Sequence, residues 1–247
     1  MDMITSARDD AGLALVEMRY EDTRNAMSPA FVAELLACLD DVATWDVRAV
    51  VLLGLPDVFC SGATQDVLRA VLDGAIEPGD LHLSKAVLDL PVPTIAAMEG
   101  HALGGGLALG LCADIVLLAR ESRYGCPFMT MGFTPGMGMT ALLEHVLTPA
   151  VAHELLYTGE PVKGRQLDGR SGVNHILPRA QVRAKALDIA GRIAEKPRTS
   201  LVTLKNTLSL PRRQAFERTR TVETLMHQVT FAQPEVRRLV EEHFRDQ

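Results

Sequence analysis

The stretch GHALGGGLALGLCAD, Gly100 to Asp114, decides how the rest of the chain is read. Three consecutive glycines, Gly104 to Gly106, follow the apolar run PTIAAMEG (Pro93–Gly100) and precede an Ala/Leu-rich segment. That order predicts a buried strand, a turn with bare backbone, and a short helix. Glycines at a strand-to-helix junction let main-chain N–H groups approach a negative charge closely. The charge is either a phosphate or an oxyanion formed during a reaction.

Phosphate fits poorly. A P-loop needs a lysine after its glycines, and a Rossmann fingerprint needs GxGxxG on the first βα turn. Neither spacing is present here. A second turn of similar character, Cys60-Ser61-Gly62-Ala63, follows another apolar run. Two such turns at parallel strand ends can aim two amides at one carbonyl oxygen. That is an oxyanion hole, in which a single donor is worth about 10²–10³ in rate.

Working outward, LALVEMRY (Leu13–Tyr20), RAVVLLGL (Arg48–Leu55) and ADIVLLA (Ala113–Ala119) read as strands beside TIAAMEG. Ser28-Pro29 opens a helical pattern, with serine as N-cap and proline at the first helical position, and Thr148-Pro149 repeats the signal. FCSGATQ (Phe59–Gln65) is a turn into another helix, and residues 74–81 (GAIEPGDL) read as a mobile loop. Strands alternating with helices predict an α/β fold with a mainly parallel sheet to about residue 147. Beyond it the pattern is almost wholly helical, punctuated by Pro149, Pro161, Pro178, Pro197, Pro211 and Pro234.

Composition narrows the function classes. The 247 residues, 47% hydrophobic and 23% charged, suffice for a large core. A net charge of −6 argues against nucleic acid as a partner. No run is long enough for a membrane span, and Met1–Asp10 is too polar for a signal peptide, so a cytoplasmic location is expected. The four cysteines form no CxxC pair and the seven histidines no HxH or HExxH spacing. Buried thiols, no metal and no cofactor are expected. Eleven Lys/Arg and three Asp/Glu between Pro178 and Arg220 make a local +8. Such a segment is either a set of solvated helix faces or a surface for coenzyme A or an acyl carrier protein.

PTIAAMEGHALGGGLALGLCADIVLLARES, FCSGATQ, GFTPGMGMT and TPAVAHELLYTGEPV, in this order, resemble the crotonase (enoyl-CoA hydratase/isomerase) superfamily. The resemblance runs from about Leu13 to Arg198. It implies a spiral ββα core over residues 1–198, a helical C-terminal trimerisation region over 199–247, and an acyl-thioester substrate. It places the oxyanion donors on Ala63 and Gly105, flanked by the substrate-binding Gly62 and Gly104. The two glutamates that the family's hydratases use as acid and base fall on Ala108 and Phe128, and both are missing. Without carboxylates to move protons, hydration by the usual route is not expected. Asp114, at a strand start, reads as structural.

A narrower resemblance, through SGATQ, GFTPGMG, EKPR and HQVTF, is to the decarboxylases of polyketide β-branching cassettes. It implies loss of CO₂ from a 3-methylglutaconyl-type thioester on an acyl carrier protein or coenzyme A, giving a 3-methylcrotonyl-type thioester. It puts a pocket histidine at His227, to hold the carboxylate or to supply the proton. Relatives also use a loop lysine, but this chain has none between Gly62 and Ser84, so Lys85 and Arg69 are the candidate replacements. The pocket wall GCPFMTMGFTPG departs from the subgroup's pattern, and Phe128, Met131 and Gly136 are assigned to substrate there. The alternatives are an enoyl-thioester double-bond isomerase and a non-catalytic subunit that grips an acyl carrier. A homotrimer or dimer of trimers is implied in either case.

Overall fold

The computed structural model describes residues 3–76 and 83–245. In chain order the elements are β1 (Ile4–Arg8), β2 (Leu13–Met18), α1 (Pro29–Thr44), β3 (Ala49–Leu53), β4 (Val58–Cys60), α2 (Gln65–Leu72), α3 (Leu83–Leu88), β5 (Thr94–Met98), β6 (His101–Leu103) and α4 (Gly105–Leu111). There follow β7 (Ile115–Ala119), β8 (Arg123–Gly125), a 3₁₀ turn (Met129–Met131), α5 (Met139–Val146), α6 (Pro149–Thr158), β9 (Val162–Lys163), β10 (His175–Leu177), α7 (Arg179–Ala194), α8 (Arg198–Phe231) and α9 (Pro234–Arg245). Most of the loop read over 74–81, residues 77–81, lies outside the described residues. Among the described residues no helix is long and apolar enough to cross a membrane.

The apolar runs become a six-stranded sheet in the order β1-β2-β3-β5-β7-β10, parallel except for β1. Its central strands are apolar throughout because both faces are covered. Val51, Leu53, Ile95, Ala97 and Leu117 meet Val182, Ala186 and Ile189 of α7. The alternate residues, Val50, Leu52, Ala96, Met98 and Val116, face the main core, where α1 lays down Phe31, Leu35 and Leu39. The α1 start is as the sequence predicts: Ser28 Oγ accepts from the Phe31 amide at 3.2 Å and Pro29 opens the helix.

A second sheet, β4-β6-β8-β9, was not legible in the sequence. Three of its strands are three residues long and the fourth has two, too short for any period to show. Tyr124 of β8 ties the sheets together. Its buried hydroxyl donates to the Met98 carbonyl at 2.7 Å and accepts from the Ala119 amide at 2.8 Å.

The chain beyond residue 147 corrects the expectation of an almost wholly helical region. It returns to supply β9 and β10, and β10 completes the parallel sheet beside β7. Pro211 does not end a helix either, but sits inside the 34-residue α8. The following arginines anchor that turn: Arg212 donates to the Ala113 carbonyl at 2.7 Å and Arg213 to the Leu88 carbonyl at 3.2 Å. Thr148 precedes α6 but does not cap it, since its hydroxyl donates to the Arg170 carbonyl.

Five of the eleven basic residues between Pro178 and Arg220 pair with carboxylates outside that segment. Arg183 pairs with Glu17, Arg198 with Asp46, Arg213 with Asp89, and Lys205 and Arg212 with Asp114. Asp114 is thus the structural carboxylate that its position suggested. Burial alone would raise its pKa, but Lys205 and Arg212, each at 2.7 Å, and the Thr94 amide outweigh that and hold it below the usual carboxylate range. A depressed folded pKa means that stability is present above the unfolded value and is lost as pH falls through the folded one. Asp114→Asn strands the Lys205 ammonium, 1% exposed, and is expected to cost about 3–5 kcal/mol in denaturant unfolding at neutral pH. The difference from wild type should shrink under acid.

Candidate active site

The two glycine turns meet at the ends of neighbouring parallel strands, β4 and β6. Each is forced by its surroundings. Gly104, with φ +52° and ψ −123°, occupies backbone space that a side chain rarely enters, and its amide donates to the Gly125 carbonyl at 2.9 Å. Gly106 brings α4 against β4 so closely that a Cβ there would lie 2.2 Å from the Cys60 carbonyl oxygen. The other turn is pinned by the Met27 amide, which donates to the Gly62 carbonyl at 2.8 Å. Buried Asn25 shapes that loop, accepting from the Tyr20 amide and donating to the Met18 and Phe59 carbonyls.

Gly105 is the first residue of α4, so its amide has no partner within the helix. Neither it nor the Ala63 amide donates to an acceptor among the described residues. The turns are close: a methyl on Gly62 would lie 3.7 Å from the Gly105 nitrogen. Both residues border one cavity open to solvent on one side. Its walls are Val67, Leu68 and Val71 of α2, Phe128 and Met131 beside the 3₁₀ turn, and Phe231 and Phe244 from the last two helices.

Among the described residues, no Asp, Glu, Lys or Arg lines this cavity, and its ionisable side chains are His227 and His243. The His227 ring is 7% exposed and edge-on to Phe133 and Phe231, which stack on each other with centroids 4.5 Å apart. Its Nε2 lies 2.8 Å from the Thr134 carbonyl oxygen. A carbonyl only accepts, so Nε2 carries the proton and Nδ1 is the nitrogen whose protonation changes. Burial pushes its pKa below the ordinary imidazole value, and the Thr134 and Pro135 carbonyls oppose that only in part.

One turn earlier on α8, buried Glu223 accepts from the Gly138 amide at 2.7 Å and from the Thr140 amide at 2.9 Å and hydroxyl at 2.6 Å. It staples the start of α5 to the helix that carries His227. Gly136 leaves room for the imidazole, since a Cβ there would sit 2.5 Å from Cε1. Gly136→Ala is therefore expected to turn the ring out of place, lowering turnover about tenfold or more while the fold stays intact. Comparing kcat with the thermal midpoint checks this.

Of the residues that the sequence singled out, the structure brings together Gly62, Ala63, Gly104, Gly105, Phe128, Met131, Gly136 and His227 around this one cavity. Ala108, where a family glutamate would stand, is fully buried. Lys85 and Arg69, the candidate replacements for the loop lysine, are not among the described residues that line this cavity. Lys85 lies on α3, paired with Asp89 and 3.8 Å from Glu217, in a separate shallow groove. Arg69 points away from the cavity because α2 turns Val67, Leu68 and Val71 inward, and it lies 3.9 Å from Asp66. Met137 joins the lining, Met139 is core, and Met129 is 43% exposed. Burial pushes the Cys60 and Cys112 thiols up to about 12, which makes them poor nucleophiles.

Sequence reasoning missed Phe231, His243 and Phe244. Phe231 sits four residues after His227, on the same helix face. Val236 and Val240 are the buried stripe of α9, and positions 243 and 244 continue it at the helical period.

The enoyl-CoA hydratase/isomerase family profile matches residues 8–244. The chain is 39% identical over 227 residues to the bacillaene synthase decarboxylase PksI of Bacillus subtilis (strain 168), covering 91% of both. Among solved structures it resembles one described as part of a dehydratase/decarboxylase enzyme couple involved in polyketide β-branching. The TM-score is 0.94 and the identity 37%, over 97% of this chain and 98% of that one. The ECH2 decarboxylase domain of CurF from Lyngbya majuscula matches with a TM-score of 0.92 and 37% identity, over 98% and 99%. With a family match over nearly its whole length and a cavity built on two glycine turns, the chain is an enzyme of the enoyl-CoA hydratase/isomerase, or crotonase, family and similar to decarboxylases of polyketide β-branching.

Proposed function

We propose that the chain removes CO₂ from a 3-methylglutaconyl-type thioester on an acyl carrier protein, giving a 3-methylcrotonyl-type thioester in polyketide β-branching. The observation that carries this is a cavity with two uncommitted amides, Ala63 and Gly105, a buried histidine, and no carboxylate among the described lining residues. The likeness to the bacillaene synthase decarboxylase supports it.

The thioester oxygen takes hydrogen bonds from Ala63 and Gly105. The bond to the carboxylate carbon breaks, and its electron pair moves through the conjugated system onto that oxygen as a dienolate. CO₂ departs, and a proton from His227 closes the reaction on carbon. The cavity favours the transition state because charge leaves a carboxylate and arrives where two fixed dipoles wait. Burial lowers the His227 pKa, and an anionic substrate beside the ring opposes that shift, with no Asp, Glu, Lys or Arg among the described lining residues.

The test is intact-protein mass spectrometry of a carrier protein bearing the 3-methylglutaconyl thioester, with the coenzyme A thioester as a second arm. Loss of one CO₂ supports the reading. Deuterium uptake without loss of CO₂ would favour the isomerase, and binding without either would favour a gripping subunit.

The same reading carries an assembly. Leu204, Leu208, Leu225 and Val229 of α8 are each more than half exposed, an apolar face suited to burial between copies in a homotrimer or dimer of trimers. Light scattering on the purified protein measures the copy number.

A further inference from the structure

In Gly136-Met137-Gly138 a methionine stands between two glycines at the cavity wall. Met137 itself holds φ +60°, a left-handed conformation that a residue with a Cβ rarely adopts, and Gly138 follows at φ +79°. The turn is kept there from two sides. Buried Ser84 of α3 donates its hydroxyl to the Met137 carbonyl at 2.9 Å, and Glu223 of α8 accepts from the Gly138 amide at 2.7 Å. Strained residues persist where their surroundings over-determine them, and they gather at functional sites.

The effect of this conformation is visible at Gly105. A Cβ there would lie 2.8 Å from Met137 Sδ and 2.9 Å from Met27 Sδ. Two thioethers therefore fill the space beside the glycine, and both methionines border the cavity. Met27 is 1% exposed and its amide is engaged with the Gly62 carbonyl, so it forms the inner support. Met137 is half-buried, and its thioether is the part of this wall that an acyl group meets.

We propose that Met137 limits the branch on the acyl chain, its thioether occupying the space beside Gly105 that a group larger than methyl on the β-carbon would need. The inference rests on the decarboxylase reading and adds the size of the branch to it. The β-carbon is two carbons from the thioester carbonyl. Anchoring the oxygen at Ala63 and Gly105 therefore brings the branch near whatever packs on Gly105. An unbranched thioether adapts its shape to a methyl group. It does not withdraw, because the backbone that carries it is pinned by Ser84 and Glu223. One added methylene in an apolar pocket is discriminated by about 10–200-fold.

The experiment compares wild type with Met137→Ala, Met137→Gly and Met137→Leu on carrier-protein thioesters of 3-methylglutaconyl and 3-ethylglutaconyl groups. Expected is a wild type that favours the methyl substrate by about 10–200-fold in kcat/KM. That ratio should fall by about tenfold or more in both Met137→Ala and Met137→Gly. Glycine suits φ +60°, so the second of these retains the turn. Met137→Leu, similar in volume, should keep most of the preference. A wild type without preference, or a ratio unchanged in the alanine and glycine variants, overturns the inference. So does a change in the glycine variant alone, which would make flexibility and not volume the cause. A parallel arm measures equilibrium binding of the 3-methylcrotonyl and 3-ethylcrotonyl thioesters, which have no carboxylate to lose. Failure of the wild type to release CO₂ would overturn the decarboxylase reading, and the binding ratio across the same variants would still decide the role of Met137.

Discussion

Replacing His227 with alanine is expected to lower the rate of CO₂ release by about 10²–10⁴-fold, the usual worth of a positioned proton donor. Alanine also leaves the half-buried Thr134 carbonyl without its donor, at a cost of about 1 kcal/mol in stability. His227→Gln separates the two effects, because an amide N–H can still serve Thr134 but cannot deliver a proton to carbon. Single-turnover rates should therefore fall alike in both variants, while the thermal midpoint falls mainly in the alanine variant. A glutamine variant that keeps wild-type turnover would remove His227 from the chemistry. The pH dependence carries the same sign. The free imidazole titrates below its ordinary value, so the protonated fraction grows as pH falls through neutrality. Wild-type kcat/KM should rise in that direction, and the rise should be absent in His227→Gln.

The second large effect is expected at a residue that touches no substrate. In Gly106→Ala the new methyl would lie 2.2 Å from the Cys60 carbonyl oxygen and 2.7 Å from its carbon, and both are backbone atoms. Relief requires α4 to move off β4, which should cost about 1–3 kcal/mol. For a chain of this size that corresponds to a fall of about 2–4 °C in Tm per kcal/mol. The same movement carries the Gly105 amide away from the Ala63 amide, so turnover should fall about 100-fold, the loss of one oxyanion donor. Gly110→Ala in the same helix is the control. There the methyl meets the Met98 thioether, the end of a flexible side chain, and both losses should be smaller. If the two variants behaved alike, close backbone packing would not be what places the amides.

Much of this site was legible because glycines leave a local signature. Gly104 and Gly106 are needed for reasons of backbone conformation and close approach, and such needs show in the sequence wherever they occur. His227 was found through the segment HQVTF, not from periodicity. Lys85 and Arg69 lie away from the described cavity lining, because being near in sequence to the Ser61–Gln65 turn says nothing of the direction in which α2 and α3 present their side chains.

By itself the sequence determined the strand-to-helix junctions, the apolar strands buried on both faces, the α1 cap at Ser28 and the loss of both family glutamates. These are local properties, written in residue type and spacing over a few positions. The tertiary structure alone decided that α8 and α9 return to close the cavity, that Glu223 staples α5 beside His227, and that His243 joins the wall. It also decided that Asp114 spends the charge of Lys205 and Arg212. Those contacts join residues more than eighty positions apart, and no local pattern encodes such a pairing. Burial of the whole core selects it.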